Sequence, residues 1–144
     1  MRTCLVGSEM CIRDSPLYYV QYCYARICSV FKNADEKIEN DLTEVEKNYE
    51  FNDEEIKIIN KISEWPKCVE VSSQKLEPHR IPIYLYQLSA LFHSYWNMGK
   101  DNEAMRFLDK SKKLNKNKAV LLNSVLKTIG TGMKILDVDT PETM

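Results

Sequence analysis

No stretch of this sequence alternates apolar and polar residues long enough to make a strand, so a sheet is not expected anywhere in the chain. It has no apolar run near the roughly 18 residues that would span a bilayer. The short Cys-Leu-Val patch near the start is interrupted by Glu9 and Arg13, which excludes an export signal as well. The five cysteines are odd in number and include no C-x-x-C pair, which speaks against a disulfide framework and against a zinc site and fits a reducing cytoplasm. The two histidines, His79 and His93, have no third ligand at metal spacing, so they read as structural or surface residues. Excess charge of one sign is missing too: the net charge is −1, and any binding of nucleic acid has to come from local placement of cations.

What is present is helical. With 144 residues, 44% of them hydrophobic and 28% charged, the chain can build one domain with its own core. Residues 1–15, MRTCLVGSEMCIRDS, share neither period nor composition with the rest of the chain and resemble a translated sequencing adaptor. They are treated as a non-native leader; on this reading Met1 is not a true start and the domain covers residues 16–144.

The stretch PLYYVQYCYARICSVF at 16–31 carries two interleaved helical stripes. Val20, Cys23, Ile27 and Val30 recur at the spacing of a buried seam, and Tyr19, Tyr22 and Arg26 run one position earlier. One residue is a turn of about 100° around a helix, so the second stripe lies beside the seam and can reach solvent. Aromatics at helical spacing are more often core than binding surface, and these residues alone leave both readings open.

Ten acidic residues lie between Asp35 and Glu55, a segment expected to be solvated and to point away from any phosphate backbone. A second helix is expected after Asn52, with Glu55 completing a capping box and Phe51 stapled to Ile56. Ile56, Ile59 and Ile62 then line one face up to Trp65. A short helix opened by Pro66 should make its contacts through Val69 and Leu76. From Pro78 to Met98 runs the longest stripe, Ile81, Leu85, Leu88, Phe92 and Tyr95, with Pro82 tolerated in the first turn and Gly99 expected as the residue after the last. A linker with Met105, Phe107 and Leu108 leads to the lysines 110, 112, 113, 116 and 118, read as a solvated face. The last helix, Asn117 to Leu136, aligns Leu122, Val125, Ile129 and Met133, and a polar tail ends the chain. The fold class is all-α, a bundle of four to five helices.

Three stretches together resemble one family, the C-terminal anticodon-binding domain of class I arginyl-tRNA synthetases. They are SPLYYVQYCYARICSVF at 15–31, LEPHRIPIYLYQLSALFHSYWN at 76–97 and VLKTIGTGMKILDVDTPETM at 125–144. The resemblance implies that Tyr19, Tyr22 and Arg26 hold unstacked anticodon bases and that the terminal Met144 lies against the middle base, a cytosine in arginine tRNAs. Tyr95 becomes a weaker candidate for a tRNA contact or for its support. Part of the lysine run becomes a candidate for phosphate neutralisation. The physics agrees with such a partner, because loop bases are recognised by aromatic stacking and by hydrogen bonds to their exposed edges.

The resemblance further implies that arginine tRNA is the partner, without membrane or metal, and that the chain is a monomer. ATP and arginine would bind a catalytic domain absent here, so no cofactor is expected in this chain. The H-x-G-H-like and K-M-S-K-S-like signatures of such a domain do not occur. The family's preceding helix, with its Asp-Ala-Leu-Arg motif, is expected to be missing, with residues 1–15 in its place. Two other readings stand beside this one: a helical protein–protein interaction module with the Tyr/Arg stripe as its hot spot, and a stand-alone tRNA binder without catalysis.

Overall fold

A computed structural model describes residues 16–34, 42 and 44–144, so the reading of residues 1–15 and of positions 35–41 and 43 in the acidic segment lies outside the described residues. Helix α1 (Pro16–Asn33) buries Val20, Cys23, Ile27 and Val30, the expected seam, with Ala25 beside it. Burial pushes the Cys23 thiol up to about 12, which makes it a packing group rather than a nucleophile.

Helix α2 (Asp53–Ser63) begins on the anticipated capping box. The Asn52 side chain accepts from the Glu55 backbone N–H at 2.9 Å, and the Glu55 carboxyl accepts from the Asn52 N–H at 3.0 Å. Its buried face differs from the expected one. Ile58 is 1% exposed, whereas Ile56 is 43% exposed and Ile59 and Ile62 are only partly covered. Successive i+3 steps fall behind a helix face by about 60° each, so a stripe of three isoleucines at that spacing cannot stay on one side. Phe51 sets its ring edge-on to Tyr49 at 5.0 Å. The acidic segment also needs correcting at its end: Glu54 and Glu55 are buried, and the Glu46 backbone N–H donates to Asn117 Oδ1 at 2.8 Å.

Helix α3 (Trp65–Gln74) packs through Trp65, Cys68 and Ser72, and Val69 is half-buried. Leu76, expected as a contact, is 86% exposed and sits at φ 53°, where it closes the helix. Its own N–H reaches the Ser73 carbonyl and that of Glu77 reaches Ser72, the pairing of a Schellman cap.

Helix α4 (Arg80–Asp101) is the central strut, packed against α1, α2, α3 and the last helix. Ile81, Leu85, Leu88, Phe92 and Tyr95 are all buried, as the stripe requires. Gly99 does not end it. The helix runs on to Asp101, and Gly99 lies where the Arg106 backbone approaches so closely that a Cβ would stand 3.3 Å from the Arg106 Cα.

After a 3₁₀ turn (Glu103–Met105), helix α5 (Lys116–Ile135) buries Leu122, Val125, Ile129 and Met133 against α4 and α1. Lys118 departs from the solvated lysine run: it is 9% exposed, and its Nζ donates to the carbonyls of Ala104 at 2.8 Å and Arg106 at 2.9 Å. Burial lowers its pKa. It fastens the 3₁₀ turn to α5 instead of facing a phosphate. The result is an all-α bundle of five helices, with no strand among the described residues beyond one bridge between Leu108 and Leu114.

Candidate nucleic-acid interface

α1 anchors its seam in the core and leaves Tyr19, Tyr22 and Arg26 at the edge of that contact, where α4 runs alongside. α4 answers with a stripe of its own, Tyr86, His93 and Trp96, each one residue after a seam position (Leu85, Phe92, Tyr95). The two stripes meet. Tyr19 lies with its ring centroid 5.0 Å from Tyr86 and 4.7 Å from His93, and Tyr22 stacks on His93 at 5.6 Å and 23°. The Arg26 guanidinium carbon is 4.5 Å from the Tyr22 ring and 4.9 Å from the Trp96 ring, a cation between two π faces. Arg26 also donates to the Tyr22 hydroxyl, and its Nη1 stands 3.4 Å from His93 Nδ1.

Burial of the His93 ring, and next the charge of Arg26, lower its pKa to about 4 against a smaller opposing pull from the Tyr19 backbone carbonyl. The imidazole is therefore neutral at neutral pH. Burial likewise raises the pKa of Tyr19, so its phenol stays protonated.

The chain's end completes the site. After α5 the backbone reverses at Asp137, at φ 55°, with Val138 donating to the Met133 carbonyl. Gln21 then donates to the Asp139 carbonyl at 2.8 Å and Lys32 pairs with Glu142 at 3.4 Å, laying the tail along α1. Both partners of that pair are largely exposed, so it steers the tail more than it stabilises it. The tail, α1 and α4 enclose a cleft of about 360 Å³ lined by Tyr22, Arg26, Lys32, Trp96 and Met144 among others.

Of the five residues picked from the sequence, Tyr22, Arg26 and Met144 line this cleft and Tyr19 adjoins it through His93. Tyr95 does not reach it. Its side chain is fully buried, donating to Glu55 Oε1 at 2.8 Å and accepting from Asn52 at 3.3 Å, so its part is support from within the core. Sequence reasoning missed Tyr86, His93, Trp96 and Lys32. The first three carried a signal, the same one-residue offset from a seam that marks the α1 stripe. Lys32 carried none.

A profile of the DALR anticodon binding domain matches residues 20–144. The chain belongs to this family. This DALR domain is 54% identical over 132 residues to the arginine–tRNA ligase of Pelagibacter ubique, covering 92% of this chain and 23% of that protein. It is 37% identical over 138 residues to the arginine–tRNA ligase of Bartonella bacilliformis, again over 92% of this chain and 24% of the relative. The chain thus spans about a quarter of the curated relatives it matches. Its fold is shared with a crystal structure described as a candidate arginyl-tRNA synthetase from Campylobacter jejuni, at a TM-score of 0.68 and 23% identity, over 90% of this chain and 26% of that one. Among the described residues the DALR domain has no cluster of side chains able to hold a metal ion, and no helix long and apolar enough to cross a membrane. Its cleft offers aromatic side chains, a guanidinium and an ammonium, groups that unstacked bases and phosphates use.

Proposed function

We propose that this DALR domain binds the anticodon stem-loop of arginine tRNA as part of an arginine–tRNA ligase. In that enzyme it positions the tRNA for arginylation by a catalytic domain outside this chain, where ATP and arginine bind. The reading carries with it a monomer in the cytoplasm. The observation that supports it is the convergence of Tyr22, Arg26, Trp96 and the terminal Met144 on one cleft, from three separate parts of the chain. Tyr22 and Trp96 supply aromatic surface with Arg26 lying over one face of each, Tyr22 being the exposed ring of the two, and Arg26 supplies a planar fork for a phosphate or a base acceptor. Met144 lies in the same cleft and supplies an apolar side chain against which a base can rest.

The test is binding of an arginine-tRNA anticodon stem-loop across a salt series. Wild-type affinity should fall as salt rises. Tyr22→Ala should weaken it by one lost stack, about 1–3 kcal/mol or roughly 5- to 150-fold. A cytosine-to-uracil change in the middle of the anticodon should weaken binding to the wild type. Undiminished binding by Tyr22→Ala, or equal competition by an unrelated hairpin, would overturn the proposal.

A further inference from the structure

His93 touches all three residues that α1 offers to the cleft region. Its ring lies 4.7 Å from that of Tyr19 and stacks on that of Tyr22 at 5.6 Å, and its Nδ1 faces the Arg26 Nη1 at 3.4 Å. Phe92 backs it edge-on at 5.4 Å. At 6% exposure it is shielded from solvent, so its value is not that of a surface contact.

Packing does not explain why the position holds a histidine. Its Nε2 is buried with no hydrogen bond of ordinary geometry, and besides Arg26 the ring's polar neighbour is the Tyr19 backbone carbonyl, so an apolar ring here costs little stability. The side-chain polar partner of the imidazole is Arg26. With Nδ1 accepting from the guanidinium, the ring proton belongs on Nε2. Arg26 is thereby held on three sides, by the Tyr22 ring and hydroxyl, by the Trp96 ring and by His93.

We propose that His93 is a positioning residue, whose Nδ1 fixes the Arg26 guanidinium between the Tyr22 and Trp96 rings so that Arg26 meets the RNA as an already ordered fork. Ordering one rotamer-rich side chain before binding is worth about a 3- to 10-fold gain in affinity. His93 touches no ligand in this scheme. Its contribution runs through Arg26, and the inference rests on the RNA-binding reading for its functional consequence only.

The test compares His93→Phe, which keeps the ring and removes the acceptor, with His93→Asn, whose amide oxygen reaches the place of Nδ1. Three readouts are taken on the 144-residue chain: thermal unfolding, the Arg26 guanidinium signals by NMR without RNA, and affinity for the anticodon stem-loop. In the wild type the four Nη protons of Arg26 should be resolved by restricted rotation. His93→Phe should melt close to wild type, merge those signals and bind about 3- to 10-fold more weakly, and His93→Asn should restore both. A His93→Phe chain with unchanged Arg26 signals and affinity overturns the inference, as does a folded His93→Asn chain no better than Phe. If the Phe chain does not fold, His93→Gln replaces it, because its amide reaches towards Nε2 instead; equal behaviour of Asn and Gln then overturns it. Failure of Tyr22→Ala to weaken binding would sink the RNA reading and leave the NMR arm to decide His93. A weakened Tyr22→Ala beside an unchanged His93→Phe sinks this inference alone.

Discussion

Replacing Glu55 with Ala is the perturbation that the structure makes most costly for its size. The side chain is fully buried and accepts four contacts: from the Tyr95 hydroxyl at 2.8 Å, from the Tyr49 hydroxyl at 3.1 and 3.3 Å, and from the Asn52 backbone N–H at 3.0 Å. Burial, and next Glu55 itself, raise the Tyr49 pKa to about 12, so this phenol remains a donor across the usable pH range. On truncation Tyr49, half-exposed, can turn to water. The fully buried Tyr95 hydroxyl cannot do so, and the Asn52 N–H loses its capping acceptor. Two stranded donors at about 1–3 kcal/mol each give a loss of about 4 kcal/mol, a large share of a domain's usual 5–15. Tyr95→Phe removes a single donor and should cost about 1 kcal/mol. Urea unfolding followed by circular dichroism measures both. With a denaturant slope of about 2 kcal/mol per molar, Glu55→Ala moves the midpoint down by about 2 M and Tyr95→Phe by about 0.5 M. The reasoning fails if Glu55→Ala moves the midpoint by less than about 0.5 M, or if the two variants are equally damaging. The pair also bears on the site: a folded Tyr95→Phe chain should bind the stem-loop as the wild type does, since Tyr95 supports the bundle from inside.

Two further outcomes are expected. Gly132→Ala would place a Cβ 2.7 Å from Leu85 Cδ2, and Leu85 is itself fully buried, so overpacking of about 1–3 kcal/mol should outweigh the better helix propensity of Ala. A net loss near 1 kcal/mol lowers the melting temperature by about 2–4 °C, and no change in a calorimetric scan would refute the tight α4–α5 contact. The His93 pKa of about 4 lies below its ordinary 6.5, so between those values the unfolded chain takes up a proton that the native one refuses. Stability should be unaffected by His93 above pH 6.5 and should decline as pH falls towards 4, by about 3 kcal/mol in all. Subtracting the pH profile of His93→Phe isolates that slope, and parallel profiles for the two chains would contradict it.

Several features were legible from residues alone because they are set within a few turns of one helix. The α1 seam of Val20, Cys23, Ile27 and Val30, the α4 stripe from Ile81 to Tyr95, the α5 face from Leu122 to Met133 and the Asn52–Glu55 capping box all depend on helical period or on a neighbour three residues away. The Tyr19–Tyr22–Arg26 flank is of the same kind, since a one-residue offset from a seam fixes its place on the helix. Other features hang on which elements become neighbours. Ile58 is buried in place of Ile56 because α4 and α5 cover that side of α2, and Leu76 is exposed because the chain reverses there. Lys118 leaves its charged neighbours for two carbonyls of a turn that only the folded chain brings near. The same holds for the cleft. Period alone put Tyr22 and Arg26 at a surface, but Trp96 and His93 face them only because α4 packs along α1, and Met144 joins them because the tail folds back past Gln21 and Lys32. Local backbone geometry repeats every few residues and can be read off a string of letters; the meeting of residues some 70 to 120 positions apart is decided by side-chain packing between helices, which no local period records.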